Sequence, residues 1–178
     1  MARPGAFSMS DLPTSLLAGT STLALGDAAA AILVLPDGRY VLQERDPDPA
    51  IWYPGHWGLF GGSIDGAETP EAALRRELAE ELELTADRIE FFLRAEYDYA
   101  PSCPGRSFTR TYFTVPISER EVAGLVLHEG RSFGIFSPED VFSRLRMAPY
   151  DGFVLFLHAG RDRIKLPGTT PKGPAPGN

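Results

Sequence analysis

The 178-residue chain holds a single cysteine, Cys103, so no disulfide can form within it and a reducing compartment is the simplest expectation. Cys103 sits in a loop-like run, Pro101-Ser102-Cys103-Pro104-Gly105, with no histidine close in sequence, which argues against a catalytic thiol. No apolar run approaches the roughly 20 residues of a membrane-spanning helix. The most apolar stretch, Ala28 to Leu35, is short and follows Asp27. The N-terminus has a weak positive region and no clean signal core, so a soluble, cytoplasmic protein without a membrane partner is expected. Internal repeats are absent. So is any basic excess: the net charge is −7, and from Asp65 to Glu90 nine acids stand against three arginines. A nucleic-acid polymer wants a basic surface, so that partner class is disfavoured. What remains, 43% hydrophobic with 23% charged, is ordinary for one soluble globular domain.

The acids are concentrated for a reason. Gly61-Gly62-Ser63-Ile64-Asp65-Gly66-Ala67-Glu68 runs into a segment that opens Thr69-Pro70-Glu71, with a hydroxyl N-cap, proline at the first helical position and an acid in the first turn. On that helix Glu77, Glu80 and Glu81 stand at i, i+3 and i+4 and share a face, while Leu74, Leu78 and Leu82 form an adjoining stripe that should pack on a sheet. Three carboxylates so close repel, and with no histidine or cysteine nearby their oxygens favour a hard cation, Mg²⁺ with Mn²⁺ as a substitute, over zinc. An amphipathic helix with solvated glutamates is the plainer alternative. The double glycine, which allows close backbone approach to a ligand and positive φ, points to a site and assigns Gly62 to substrate binding.

From Gly62 to Leu84 the chain resembles the signature of the Nudix hydrolases. Gly62, Glu68, Arg76, Glu77, Leu78, Glu80, Glu81 and Leu84 match at the family spacing. Two places differ. Glu83 stands where the family usually has glycine, which suggests a helix that ends without the usual left-handed turn, and Phe60 stands where a proline often precedes the glycines. The resemblance implies hydrolysis of a diphosphate linkage in a nucleoside diphosphate joined to another group, a nucleotide sugar or a nucleoside triphosphate. It implies a metal bound by Glu77, Glu80 and Glu81, with the Gly61 carbonyl completing the shell. Arg76 then orients carboxylates and Glu68 braces the loop through an arginine. Leu127-His128-Glu129-Gly130 is similar to the family's distal pattern, which assigns Glu129 as a further metal ligand or the general base; Glu96 and Asp98 are the alternatives. Glu77, Arg76 and Glu129 thus form the expected catalytic set. Trp52 and Tyr53 are candidates to stack a base or sugar, and Arg106 and Arg110 to contact phosphate. A Nudix-fold module that senses a nucleotide without hydrolysing it is the second reading, disfavoured because the full set of glutamates and the arginine is present.

The expected organisation is an N-terminal extension over 1–26, partly flexible, with a short element over Leu12–Leu25; a Nudix domain over 27–162; and a flexible Pro/Gly-rich tail over 163–178. Strands are expected at Ala28–Leu35 and Tyr40–Arg45 around a Pro36-Asp37-Gly38 turn, at Ile89–Tyr99, at Phe108–Pro116, at Val122–Leu127 and at Ser132–Ser137. Helices are expected from Pro70, over Pro138–Leu145 and over Tyr150–Ala159. The order implies an α/β (α+β) fold, and the resemblance implies the Nudix helix–sheet–helix sandwich with a mixed β-sheet, possible also as a homodimer.

Overall fold

The computed structural model describes residues 26–98 and 107–163. The element expected over Leu12–Leu25, the loop with Cys103 and Arg106, and the tail from Leu166 lie outside the described residues.

Six strands form one mixed sheet: β1 (Ala28–Val34), β2 (Tyr40–Glu44), β3 (Trp57–Gly58), β4 (Glu90–Asp98), β5 (Ser107–Pro116) and β6 (Ser132–Phe136). β1 lies in the middle. It pairs with β5 in parallel from Ala28↔Arg110 to Val34↔Pro116, and antiparallel with β2 across the Pro36-Asp37-Gly38 turn. Gly38 takes φ +87 there, which a residue with a Cβ would resist. β4 closes one side against β5, and β6 runs along the outer edge of β2. β2 shares its other edge between β1 and β3, so the chain after β3 wedges beside β1, with bridges at Ala31↔Phe60 and Ala28↔Ser63.

Both faces of β1 are buried, which explains its unbroken apolar sequence. Ala29, Ala31 and Leu33 face Leu74, Leu78 and Leu82 of helix α1 (Pro70–Leu82). Ala30 and Ile32 face the opposite way, toward Val141 of α3 (Pro138–Ser143) and Val154 and Leu155 of α4 (Pro149–Ala159). The small side chains of the alanine run let helices approach closely on both sides. The result is the helix–sheet–helix sandwich with the α1 leucine stripe inward, as its spacing requires.

Two expectations are corrected. Val122–Leu127 is not a strand. Ser118 and Glu121 form a reciprocal capping box that starts a short helix, α2 (Glu119–Val122), and the chain after it hydrogen-bonds the end of α1: Val126 N–H to Leu82 C=O at 3.2 Å and His128 N–H to Glu81 C=O at 2.9 Å. Leu125 and Leu127 do alternate toward the core, which is why the segment reads as a strand. The end of α1 also differs from expectation. Glu83 takes the left-handed conformation itself (φ 54, ψ 27), and Leu84 N–H reaches Leu78 C=O at 3.1 Å. The helix therefore stops in the glycine-type turn without the glycine.

Candidate active site

Thr69 Oγ1 accepts the Ala72 N–H at 3.2 Å and Pro70 follows, so α1 starts where the capping residues put it. That start fixes the phase of the glutamates. Glu81 points inward toward the glycine loop and is 4% exposed. Its Oε2 accepts the Gly61 N–H at 2.9 Å. Glycine is required at 61: φ is +123, and a Cβ would lie 2.3 Å from the Ala29 carbonyl oxygen. At Gly62 a Cβ would meet the Glu77 carboxylate at 2.5 Å, so this glycine makes room for a ligand-bearing side chain.

Arg76 organises the rest. Its Nε and Nη2 donate to the two Glu68 oxygens at 3.1 and 3.0 Å, Nη2 also to the Ser63 carbonyl at 3.0 Å, and Nη1 to Glu77 and Glu80 at 2.9 and 3.2 Å. One planar fork thus ties the loop to the helix, as a lysine could not. Arg76 thus contacts Glu77 and Glu80, and Glu68 lies between Arg76 and the loop. As they stand, no three carboxylates, histidines or cysteines among the described residues are grouped closely enough to hold one ion. Like charges spread apart, Arg76 and Gly61 take up the oxygens, and Glu80 stays largely exposed at the rim. Convergence of all three helix glutamates on one point, read from spacing alone, is not the arrangement seen here.

A loop brings the distal carboxylate in. The tether of residues 126–128 to the end of α1 delivers Glu129 beside the glutamates, and Gly130 secures the turn with φ +88 in a place where a Cβ would lie 2.7 Å from Gln43 Oε1. Glu129 lines a cleft with Gly61, Gly62 and Ser63. Its charge reaches both buried acids. Burial raises Glu77 above its ordinary range, opposed by Arg76 and reinforced by Glu80 and Glu129. Burial likewise raises Glu81 to about 7; the Gly61 N–H opposes the rise, and Glu129 and Glu77 add to it. The donor set is all oxygen, which fits a hard divalent cation; Glu81 is buried, Glu77 half-buried, and Glu80 and Glu129 exposed.

The cleft continues across the strand ends. Ala28 pairs with Ser63 on one edge and Arg110 on the other, so Arg110 lies two strands from the glycine loop, on the α4 face of the sheet. Trp52, Phe108 and Tyr150 line this end. Tyr53, in a left-handed conformation (φ 52), does not line the cleft; it packs edge-on against Tyr150 at 5.4 Å. Trp57 packs on Phe136 at 4.6 Å, and His56 bonds the Pro54 carbonyl through Nδ1 at 2.9 Å, so both serve the local structure. The expectation that Arg110 contacts phosphate meets a contrary neighbour. Its partner is the buried carboxylate of Asp151, with Nε 3.5 Å from Oδ1. Tyr150 and Asp151 carried no sequence signal beyond an ordinary acid in the first turn of a helix.

The NUDIX domain family model matches residues 24–156, and the chain belongs to the Nudix family. A Mycobacterium tuberculosis protein provisionally named 8-oxo-dGTP diphosphatase 3 is 35% identical over 158 residues, covering 75% of this chain. The chain spans 66% of that relative's length. Among solved structures, the MutT protein of Methanosarcina mazei Go1 superposes with a TM-score of 0.64 at 18% identity, over 80% of this chain and 98% of the other, a likeness of fold alone. A Nudix hydrolase of M. smegmatis, RenU, superposes with a TM-score of 0.58 at 26% identity, over 79% and 88%.

Proposed function

We propose that the protein is a Mg²⁺-dependent pyrophosphohydrolase that cleaves the diphosphate linkage of a nucleoside diphosphate joined to another group, a nucleoside triphosphate or nucleotide sugar. The observation that carries the reading is the contact of Glu81 with Gly61 and the close approach of Glu77 to Gly62, beside a cleft that Gly61, Gly62 and Glu129 line. Glu81 buried and Glu77 half-buried, with the exposed Glu129 beside them, favour a cation, and a cation favours an anionic substrate. The name of the mycobacterial relative, an 8-oxo-dGTP diphosphatase, supports a nucleoside triphosphate as the first candidate to test.

Glu77, Glu81 and Glu80 would hold Mg²⁺, with the Gly61 carbonyl beside them; bound there, it supplies charge neutralisation and lowers the pKa of a water. The protein's own groups do the rest. Arg76 holds Glu77 and Glu80 in place through Glu68 and Ser63. The double glycine admits the diphosphate close to the backbone. Glu129 accepts a proton from the attacking water as the new P–O bond forms and the anhydride P–O bond breaks, and the displaced phosphate oxygen keeps the bonding electron pair.

The test is a panel of nucleoside triphosphates, nucleotide sugars and dinucleotides incubated with Mg²⁺, with both products identified by chromatography. Turnover that stops with a chelator and returns with Mg²⁺ or Mn²⁺ is expected, and Glu129→Gln should lower it about 10²–10⁴-fold. Tight nucleotide binding without turnover of any compound would replace the enzyme with a sensing module.

A further inference from the structure

We propose that the free edge of β4 is an interface for a second copy of this chain, joined antiparallel about Ala95 so that one continuous sheet runs through both copies. The inference stands apart from the chemistry of the cleft.

β4 ends the sheet. Its nine residues pair with β5 on one side, and on the other side no described residue hydrogen-bonds its backbone. Such an edge presents a row of open N–H and C=O groups, a template for another strand. Proteins blunt exposed edges with short strands, proline, lysine or bulges. β4 is longer than the usual strand of about 5–6 residues and has neither proline nor lysine, and its one irregularity lies between Phe91 and Leu93. From Leu93 to Asp98 the strand is regular and open.

The side chains on that stretch divide by face. Leu93, Ala95 and Tyr97 lie on the α4 side opposite Tyr112, Arg110 and Phe108 and are half-buried, whereas Arg94 and Glu96 alternate to the other side and are exposed. In a two-fold antiparallel pair, opposed residues share a face, so the axis passes through one residue. Charge then selects which. An axis at Leu93 sets Glu90 against Glu96, one at Arg94 or Glu96 sets a charge against itself, one at Tyr97 sets Glu96 against Asp98, and one at Phe92 falls in the bulge. Ala95 alone fits. There Arg94 of each copy meets Glu96 of the other and Leu93 meets Tyr97, each pair formed twice, with the small Ala95 side chains at the centre. The two charges that deter an unrelated strand therefore match a second copy of this one.

The experiment is sedimentation velocity of the full chain from about 1 to 500 µM, a range suited to a small, weak interface. Wild type, Arg94→Glu, Glu96→Arg and an equimolar mixture of the two variants are compared, and thermal melting of each variant checks its fold. Wild type should pass reversibly from monomer to dimer. Each variant alone sets like charges together at both pairs and should weaken association about 10–100-fold. The mixture sets two acids of one copy against two arginines of the other, so it should recover wild-type association as a heterodimer, which a misfolded variant could not do. Wild type that stays monomeric throughout would leave the edge to another segment of this chain or to a different protein and overturns the proposal. So does a dimer indifferent to both charge reversals, or a mixture that associates no better than either variant alone.

Discussion

Glu81→Gln removes one charge from a side chain that is 4% exposed and keeps an oxygen to accept the Gly61 N–H. Burial, with Glu129 and Glu77 adding their repulsion, raises the folded-state pKa from 4.5 to about 7. Between those values the folded chain holds a proton that the unfolded chain has released. The folded state binds more protons, so stability falls as pH rises through the window and the loss is complete above it. The shift corresponds to about 3 kcal/mol as an upper bound, or roughly 6–12 °C in Tm for a domain of this size. Glutamine has nothing to titrate. Urea or thermal denaturation in chelator from pH 5 to pH 8 should therefore show the variant gaining on wild type by about this amount as pH rises. Saturating Mg²⁺ should flatten the wild-type profile and leave the variant's unchanged, because an ion held by the carboxylate stabilises its charged form. Turnover of the variant should fall by orders of magnitude at every pH. A difference between wild type and variant that stays constant from pH 5 to pH 8 would refute the argument, since it would mean that Glu81 is no more costly to ionise in the fold than in the unfolded chain.

Other substitutions probe the frame around that carboxylate. Glu83→Gly relieves a left-handed residue and gives up an exposed pair with His128, so the urea midpoint should rise by the equivalent of about 1 kcal/mol with turnover unchanged. Gly61→Ala places a Cβ against the Ala29 carbonyl at positive φ and should destabilise by about 3 kcal/mol or more, seen directly in melting. Gly62→Ala meets only the end of the Glu77 side chain, so melting should move little while turnover collapses. Arg76→Lys cannot hold Glu68, Glu77, Glu80 and Ser63 at once and should lower activity about 10–100-fold, with a raised Mg²⁺ requirement as its signature.

The carboxylate helix was legible because its information is local. Thr69 and Pro70 set the start, and 3.6-residue periodicity then assigns Leu74, Leu78 and Leu82 to the core and the glutamates to the adjoining face. Spacing could not reveal where each carboxylate rests without a cation, since that depends on Arg76 and on a loop glycine some twenty positions away. Glu83 departs from its expected conformation for a related reason. Propensity disfavours a left-handed glutamate, but the Leu84-to-Leu78 hydrogen bond and the docking of residues 126–128 on the helix end hold it there.

The pair of Arg110 and Asp151 lay beyond sequence reasoning altogether, because a strand-end arginine and a first-turn acid each have an ordinary explanation when read alone. Only the sandwich, with α1 on one face of the sheet and α4 on the other, sets them side by side, with Asp151 buried behind Arg110. That placement divides the cleft by charge. The α1 side holds Glu77 and Glu81, whose protonation burial favours, while the other end carries Arg45 and Arg110 against Asp151.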